Sequence, residues 1–193
     1  MDAPRTAFNI VAAARELLDK EGAEGVTMRR VAEKVGITPM AIYRHFPDRE
    51  ALLEGLADQG FQELSAKLKD KRFTGDVETR LAKMADLYLD HALENPKLFE
   101  LMFLKPRKGA RRYPQDFKAR KSPTATLMAD MIAEGMASGV LGPDDHWEIT
   151  FEMGALSHGL IMLYLGGRLA VTPTQFRALY RRSFRRYFHG IRA

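Results

Sequence analysis

The chain has 193 residues, 46% of them apolar and 28% charged, enough for a real core and incompatible with wholesale disorder. It has no cysteine, which excludes disulfides and every thiolate metal site. The formal net charge of +5 is unevenly spread: residues 105–121 hold eight Lys/Arg against one Asp, and residues 177–192 hold six Arg and no acid, so the remainder is net acidic.

Periodicity is helical nearly throughout. Ile10, Ala13, Ala14, Leu17 and Leu18 mark one face of a first helix that stops at Gly22. Val31, Ala32 and Val35 give a short second helix between Thr27 and Gly36. Thr38 caps a third, with Pro39 in its first turn, where the missing N–H costs nothing. Phe46-Pro47 breaks it, and Asp48 opens a long fourth helix to about Lys69. After Thr74-Gly75-Asp76, a fifth helix carries Val77, Leu81, Met84, Tyr88 and Ala92 and ends at Asn95-Pro96. A short apolar segment, 98–104, precedes the basic stretch 105–121, which holds Pro106, Gly109 and Pro114 and reads as a long, solvated, mobile loop. Ser122-Pro123 starts a helix to Gly139. Gly142-Pro143-Asp144 opens another, to about Leu169, and Thr172-Pro173 opens the last. No alternating β-pattern or repeat appears. The fold class predicted is all-α, with about nine helices.

The longest apolar run, Met153–Leu165, is 13 residues and contains Ser157 and His158. A spanning helix needs about 18–20 residues. Asp2 lies where a signal core would begin, so a cytoplasmic protein with no membrane partner is expected.

Residues 27–46, TMRRVAEKVGITPMAIYRHF, have the layout of a helix-turn-helix. Ala32 is small where two helices cross, Gly36 suits a turn with positive φ, and Ile37 and Ile42 plug the core beneath. Such a unit sets its second helix in the major groove. Residues 1–55 hold eight basic and nine acidic side chains, so spacing carries this reading and bulk charge does not.

From Ile10 to Leu53 the chain resembles the tetracycline-repressor family of transcriptional regulators. It keeps that family's spacing of Gly22, Thr27, Val31-Ala32, Gly36, Ile42-Tyr43, His45-Phe46 and a basic residue before Glu50 and Leu52-Leu53. The resemblance implies a DNA-binding domain at 1–55 and a helical effector-binding and dimerisation domain at 56–193. It implies that Thr27 caps the second helix and offers its hydroxyl and amide to a phosphate. Arg29 matches a position that reaches a base edge. Thr38, Pro39 and Met40 match the groove-facing start of the recognition helix. Tyr43 and His45 match phosphate contacts, and Arg49 replaces the usual lysine of the fourth helix.

Many members have glycine at the position of Met40, and Pro39-Met40-Ala41 offers no side-chain donor. Direct readout is then expected from Arg29 and Arg44 to guanine, with apolar contacts to thymine methyls. Tyr43 and Phe46 also fit as core aromatics of the corner, His45 as a helix-end histidine, and Arg44 as a solvated side chain.

In the last helix Phe176, Leu179, Tyr180, Phe184, Tyr187, Phe188 and Ile191 recur at three- to four-residue spacing, a stripe broad enough to need a partner. Gly154 and Gly159 in the preceding helix permit close backbone approach. The resemblance implies a homodimer through these two helices. GALSHGLIMLYLGGRL also resembles a C-terminal subfamily built around a His-Gly pair, without its usual tryptophan. By the same resemblance an effector pocket is expected between helices five to eight. Its candidate lining is Met84, Tyr88, Phe99, Met102, Phe103, Met128, Met131, Trp147, Phe151, His158 and Met162, an adaptable apolar set. Ordinary core packing is the alternative for each.

Asp144, Asp145, His146 and Glu148 suit a helix start better than a metal site. No nucleophile–base pair or phosphate-binding glycine loop appears, and no cofactor is called for. The function expected is a dimeric repressor that binds double-stranded DNA at an inverted repeat and is released by a small apolar or amphipathic effector. The alternatives are a helical carrier or enzyme that does not use its N-terminal module, and a ligand-independent DNA-binding activator.

Overall fold

Caps and helix breakers set the order of the elements. The computed structural model describes residues 3–104, 107 and 109–193, and its order is ten α-helices with one short 3-10 turn. α1 (Ala3–Glu21) ends at Gly22, whose φ of +76° turns the chain into the 3-10 turn Ala23–Gly25. α2 (Met28–Val35) and α3 (Pro39–Tyr43) follow, then α4 (Arg49–Asp70), α5 (Val77–Glu94) and α6 (Pro96–Phe103). α7 (Gln115–Lys118), α8 (Pro123–Ala137), α9 (His146–Leu165) and α10 (Pro173–Gly190) complete the chain.

The caps are those the sequence advertises. The Thr27 hydroxyl accepts from Arg30 N, Thr38 from Ala41 N, and Ser122 from Ala125 N. Asp145 accepts from Trp147 N and Glu148 N, which starts α9 four residues later than Gly142 suggests. Thr172 and Gln175 form a reciprocal capping box. Among the described residues there is no strand, only an isolated antiparallel bridge between Leu141 and Arg192. None of the described helices is long and apolar enough to cross a membrane.

The basic stretch departs from expectation. Lys105, Pro106 and Lys108 lie outside the described residues. Residues 109–121, expected as a solvated loop, contain α7 and are strapped to the helices around them. Lys118 pairs with Asp145 at 2.8 Å and Arg120 with Asp130 at 2.7 Å, and within the stretch itself Lys121 pairs with Asp116 at 2.8 Å. The Tyr113 ring stacks on Phe151 at 4.4 Å. Four helical residues are too few to leave a periodic signature, and charge composition does not reveal which acids will face the cations.

The chain divides into two compact units. The first comprises the described residues to Glu63 together with Ala92 to Arg107; the second comprises Leu64–His91 and Gly109–Ala193. A border at 55/56 would fall inside α4, which contributes Arg49–Glu63 to one unit and Leu64–Asp70 to the other. The first unit buries Ile10, Ala14, Leu18, Val31, Ala32, Ile42, Leu52 and Leu56 together with Leu98 and Phe99 of α6. Close packing of α4 on α6 requires Gly60, because a Cβ there would lie 2.6 Å from Met102 Sδ. Each buried leucine or isoleucine contributes about 1.5–3 kcal/mol.

The second unit buries Leu68, Leu81, Met84, Leu89, Ile132, Met153 and Ile161. It also buries Phe176, Tyr180, Phe184 and Phe188, which corrects the expectation that these four form a dimer face. Tyr180 Oη donates to Ala85 O at 3.1 Å, and Phe176 stacks on Tyr164 at 4.1 Å. The aromatic stripe of α10 is satisfied within the chain because α5 and α9 present enough apolar surface to cover it.

Candidate nucleic-acid interface

α2 holds the short α3 at the surface. Gly36 closes α2 with φ +73°, its N–H donating to Glu33 O, while Ile37 N reaches back to Ala32 O at 3.0 Å. Open space surrounds the position of a Gly36 Cβ, so conformation and not crowding calls for glycine. Ile42 turns fully inward, which leaves Thr38, Pro39, Met40, Tyr43 and Arg44 exposed on the other side of α3. Met40 is 69% exposed. Tyr43 therefore is not a core aromatic. Phe46 is half-buried and packs toward α4, its Cε1 3.3 Å from where a Gly55 Cβ would stand. His45 is half-buried at the end of the turn, its N–H donating to Ile42 O at 2.8 Å.

The cations of α2 separate into two kinds. Arg30 is held by Glu21 at 2.5 Å and by Gly25 O at 2.9 Å; Lys34 is held by Glu16 at 2.7 Å. These hydrogen bonds lower the carboxyl pKa values of Glu21 and Glu16. Arg29, exposed one residue away, is in no ion pair with a described residue.

Arg49 turns out differently from a free phosphate contact. Its Nε donates to Val26 O at 2.8 Å and its Nη2 to Ala23 O at 2.6 Å, while Nη1 meets Glu50 at 3.0 Å. It braces the α1–α2 connection, and its guanidinium is directed at those carbonyls. A second inward arginine is Arg15 of α1. It donates to Asp19, to Glu63 at 3.3 Å and to Asn95 Oδ1 at 2.6 Å. No sequence signal exists for such a contact, since Asn95 is 80 residues away.

The expected effector lining is divided between the two units. Phe99, Met102 and Phe103 belong to the first unit, where Phe103 packs on Phe99 at 4.7 Å and on Phe61 at 5.2 Å. The other eight residues lie in the second unit. There Met84, Met131 and Trp147 are buried and Met128 and Met162 half-buried. Phe151 is 43% exposed, against Tyr113 and Phe117 on the outer side of α9. Tyr88 and His158 do meet, Oη to Nδ1 at 3.2 Å. Burial raises the phenol pKa well above its ordinary value and lowers that of the imidazole.

Of the expected dimer residues, Leu179, Tyr187, Gly154 and Gly159 remain half-buried, and open space surrounds the position of a Cβ at either glycine. Tyr187 Oη donates a short hydrogen bond to Glu152.

Comparison with known proteins agrees with this arrangement. Residues 10–56 match the bacterial regulatory proteins of the tetR family, and residues 81–187 match the tetracyclin repressor-like C-terminal domain. The uncharacterized HTH-type transcriptional regulator YobS of Bacillus subtilis (strain 168) is 31% identical over 96 residues, 50% of this chain and 50% of its own length. The chain spans about half the length of such curated relatives. A protein of unknown function from Rhodococcus sp. RHA1 superposes with a TM-score of 0.81 at 28% identity, covering 97% of this chain and 96% of that one. A single-substitution variant of TetR from Acinetobacter baumannii AYE, solved in complex with minocycline, shares the fold at a TM-score of 0.68 and 19% identity, covering 98% and 96% of the two chains. The two family matches together span most of the sequence, and the chain belongs to the tetR family of bacterial regulatory proteins.

Proposed function

We propose that this protein is a dimeric, DNA-binding transcriptional regulator that acts as a repressor and has no enzymatic role. The observation that carries the reading is the outward row of α3: Thr38, Pro39, Met40, Tyr43 and Arg44 are all exposed while Ile42 anchors the helix from behind. A short helix presented in this way, capped by one threonine and preceded by a helix capped by another, suits insertion into a major groove. Thr27, Tyr43 and His45 hold phosphates and fix the register; Arg29 and Arg44 read guanine edges, and Met40 meets thymine methyls. Arg49 is left out of this set because its guanidinium is bound to Ala23 and Val26.

The dimer is proposed to form on α9. This helix is apolar nearly all round, the pattern of a helix covered on both sides. Its outer face carries Phe151, Ala155, Gly159 and Leu163, and Leu163 is 47% exposed. Leu179 and Tyr187, half-buried on α10, are proposed to complete that face. Two recognition helices related by a two-fold axis would meet successive major grooves about 34 Å apart, so the operator is expected to be an inverted repeat.

An effector bound in the second unit is proposed to release DNA, with α4 as the shared element, since it contributes residues to both units. The minocycline-bound family neighbour supports this reading. DNA would then weaken the effector by the same factor. Selection of bound duplexes from a random pool at stated salt tests the proposal. Recovery of an inverted repeat supports it; recovery of only non-specific DNA, before and after denaturing and refolding to strip bound molecules, removes it.

A further inference from the structure

Between the C-terminal end of α4 and the first two turns of α8, wholly within the second unit, lies a cavity of about 410 Å³. Its lining is chemically mixed. Lys69 and Lys71 are among the residues that line it, exposed and in no ion pair with a described residue. The acid of the lining, Asp130, is already held by Arg120 at 2.7 and 2.8 Å, so it does not neutralise the lysines. Thr126 lines the same cavity, and its hydroxyl oxygen is buried without a hydrogen-bond partner. Buried polar groups are ordinarily satisfied, so this hydroxyl gains a hydrogen bond if a side-chain rotation turns it to a polar group held in the cavity. Leu68, buried, and Leu127, half-buried, supply the apolar wall.

Two exposed ammonium groups and an unsatisfied hydroxyl next to an apolar wall select a particular kind of molecule. We propose that this cavity binds a small organic anion, its carboxylate or phosphate head held by Lys69, Lys71 and Thr126 Oγ1 and a short alkyl body lying on Leu68 and Leu127. The size suits such a ligand. This names the ligand class of the effector domain and rests on the effector reading given above.

The test is calorimetric titration of the full chain with octanoate, octyl phosphate and octan-1-ol. One or both anions should bind, at least about ten-fold more tightly than the alcohol, because the alcohol forfeits the charge-assisted hydrogen bonds. Which anion binds better distinguishes a carboxylate from a phosphate ligand. Lys69→Ala/Lys71→Ala, which alters only exposed side chains, should weaken the anion about ten-fold or more and leave the alcohol unchanged. Thr126→Val, nearly isosteric, should weaken the anion several-fold with the unfolding midpoint preserved. Equal binding of alcohol and anions, an unaltered double variant, or no anion binding at millimolar concentration would each overturn the site. The bound anion should also lower retention of the selected DNA; binding without that effect overturns its role as effector. Selection of DNA succeeds or fails without any anion present, so the two readings fail separately.

Discussion

Arg15 on α1 donates to Asn95 Oδ1 at 2.6 Å, and Asn95 is the residue that precedes α6. The asparagine consequently makes no side-chain cap on α6; its amide oxygen is turned to the arginine instead. The same guanidinium reaches Glu63, which also accepts from Gln59 Nε2 at 3.0 Å. One half-buried cation thus ties the first helix, the fourth and the start of the sixth.

Arg15→Ala should therefore destabilise the first unit by about 1–3 kcal/mol, since it removes charged hydrogen bonds and leaves Glu63 with a weaker partner. Urea unfolding followed by far-ultraviolet circular dichroism checks this. A loss below about 0.5 kcal/mol would class the cluster with ordinary surface pairs.

Arg49 supports the α1–α2 connection through two carbonyls 2.6 and 2.8 Å from its nitrogens. Arg49→Lys should lose most of that support, because one ammonium lacks the planar fork that serves both oxygens. The expected cost is about 1–2 kcal/mol in thermal unfolding. DNA affinity should fall only in proportion to the lost fold. A large loss of DNA affinity with an unchanged midpoint would restore Arg49 as a phosphate contact.

Arg29→Ala should relax sequence preference at one position per half-site, at a cost of about 1–3 kcal/mol, whereas Tyr43→Phe should weaken all operators alike. Binding to a panel of single-base operator variants separates the two. Uniform weakening by Arg29→Ala would make it another phosphate contact.

Two glycines are expected to behave oppositely. Gly36→Ala forces a side chain into φ +73° and should destabilise the first unit by about 1–2 kcal/mol. Gly159→Ala has open space within the chain and should raise helix propensity by up to about 1 kcal/mol. If a second α9 packs there, the same substitution should weaken the dimer. Sedimentation at falling concentration reads this directly, and an unchanged dimer would place the interface elsewhere.

His158 carries a pH prediction. Burial lowers its pKa, so between the folded value and the unfolded value of about 6.5 the unfolded chain binds more protons. Stability should be complete above pH about 6.5, decline as the pH falls from there to the folded pKa, and level off below it. A neutral imidazole with its proton on Nε2 accepts the Tyr88 O–H at Nδ1, and protonation removes that lone pair. His158→Gln should flatten the decline in urea-unfolding free energy; an identical slope would assign it to other groups.

Local chemistry was enough for the helical class, nearly every cap and the helix-turn-helix. Each rests on neighbours in the chain: a threonine three residues before an amide, a glycine at positive φ, an isoleucine at the right period. Contacts across long separations were not legible in this way. The α10 stripe reads as apolar whether α5 and α9 or a second chain covers it, and the fold turns Phe176, Tyr180, Phe184 and Phe188 inward. Arg49 and Arg29 look equally cationic in the sequence; packing aims one at Ala23 and Val26 and leaves the other exposed. Phe99, Met102 and Phe103 follow α5 in the chain yet serve the first unit, because Gly60 lets α6 lie against α4. Burial and pairing depend on which surfaces meet, and that is settled only when the helices have packed.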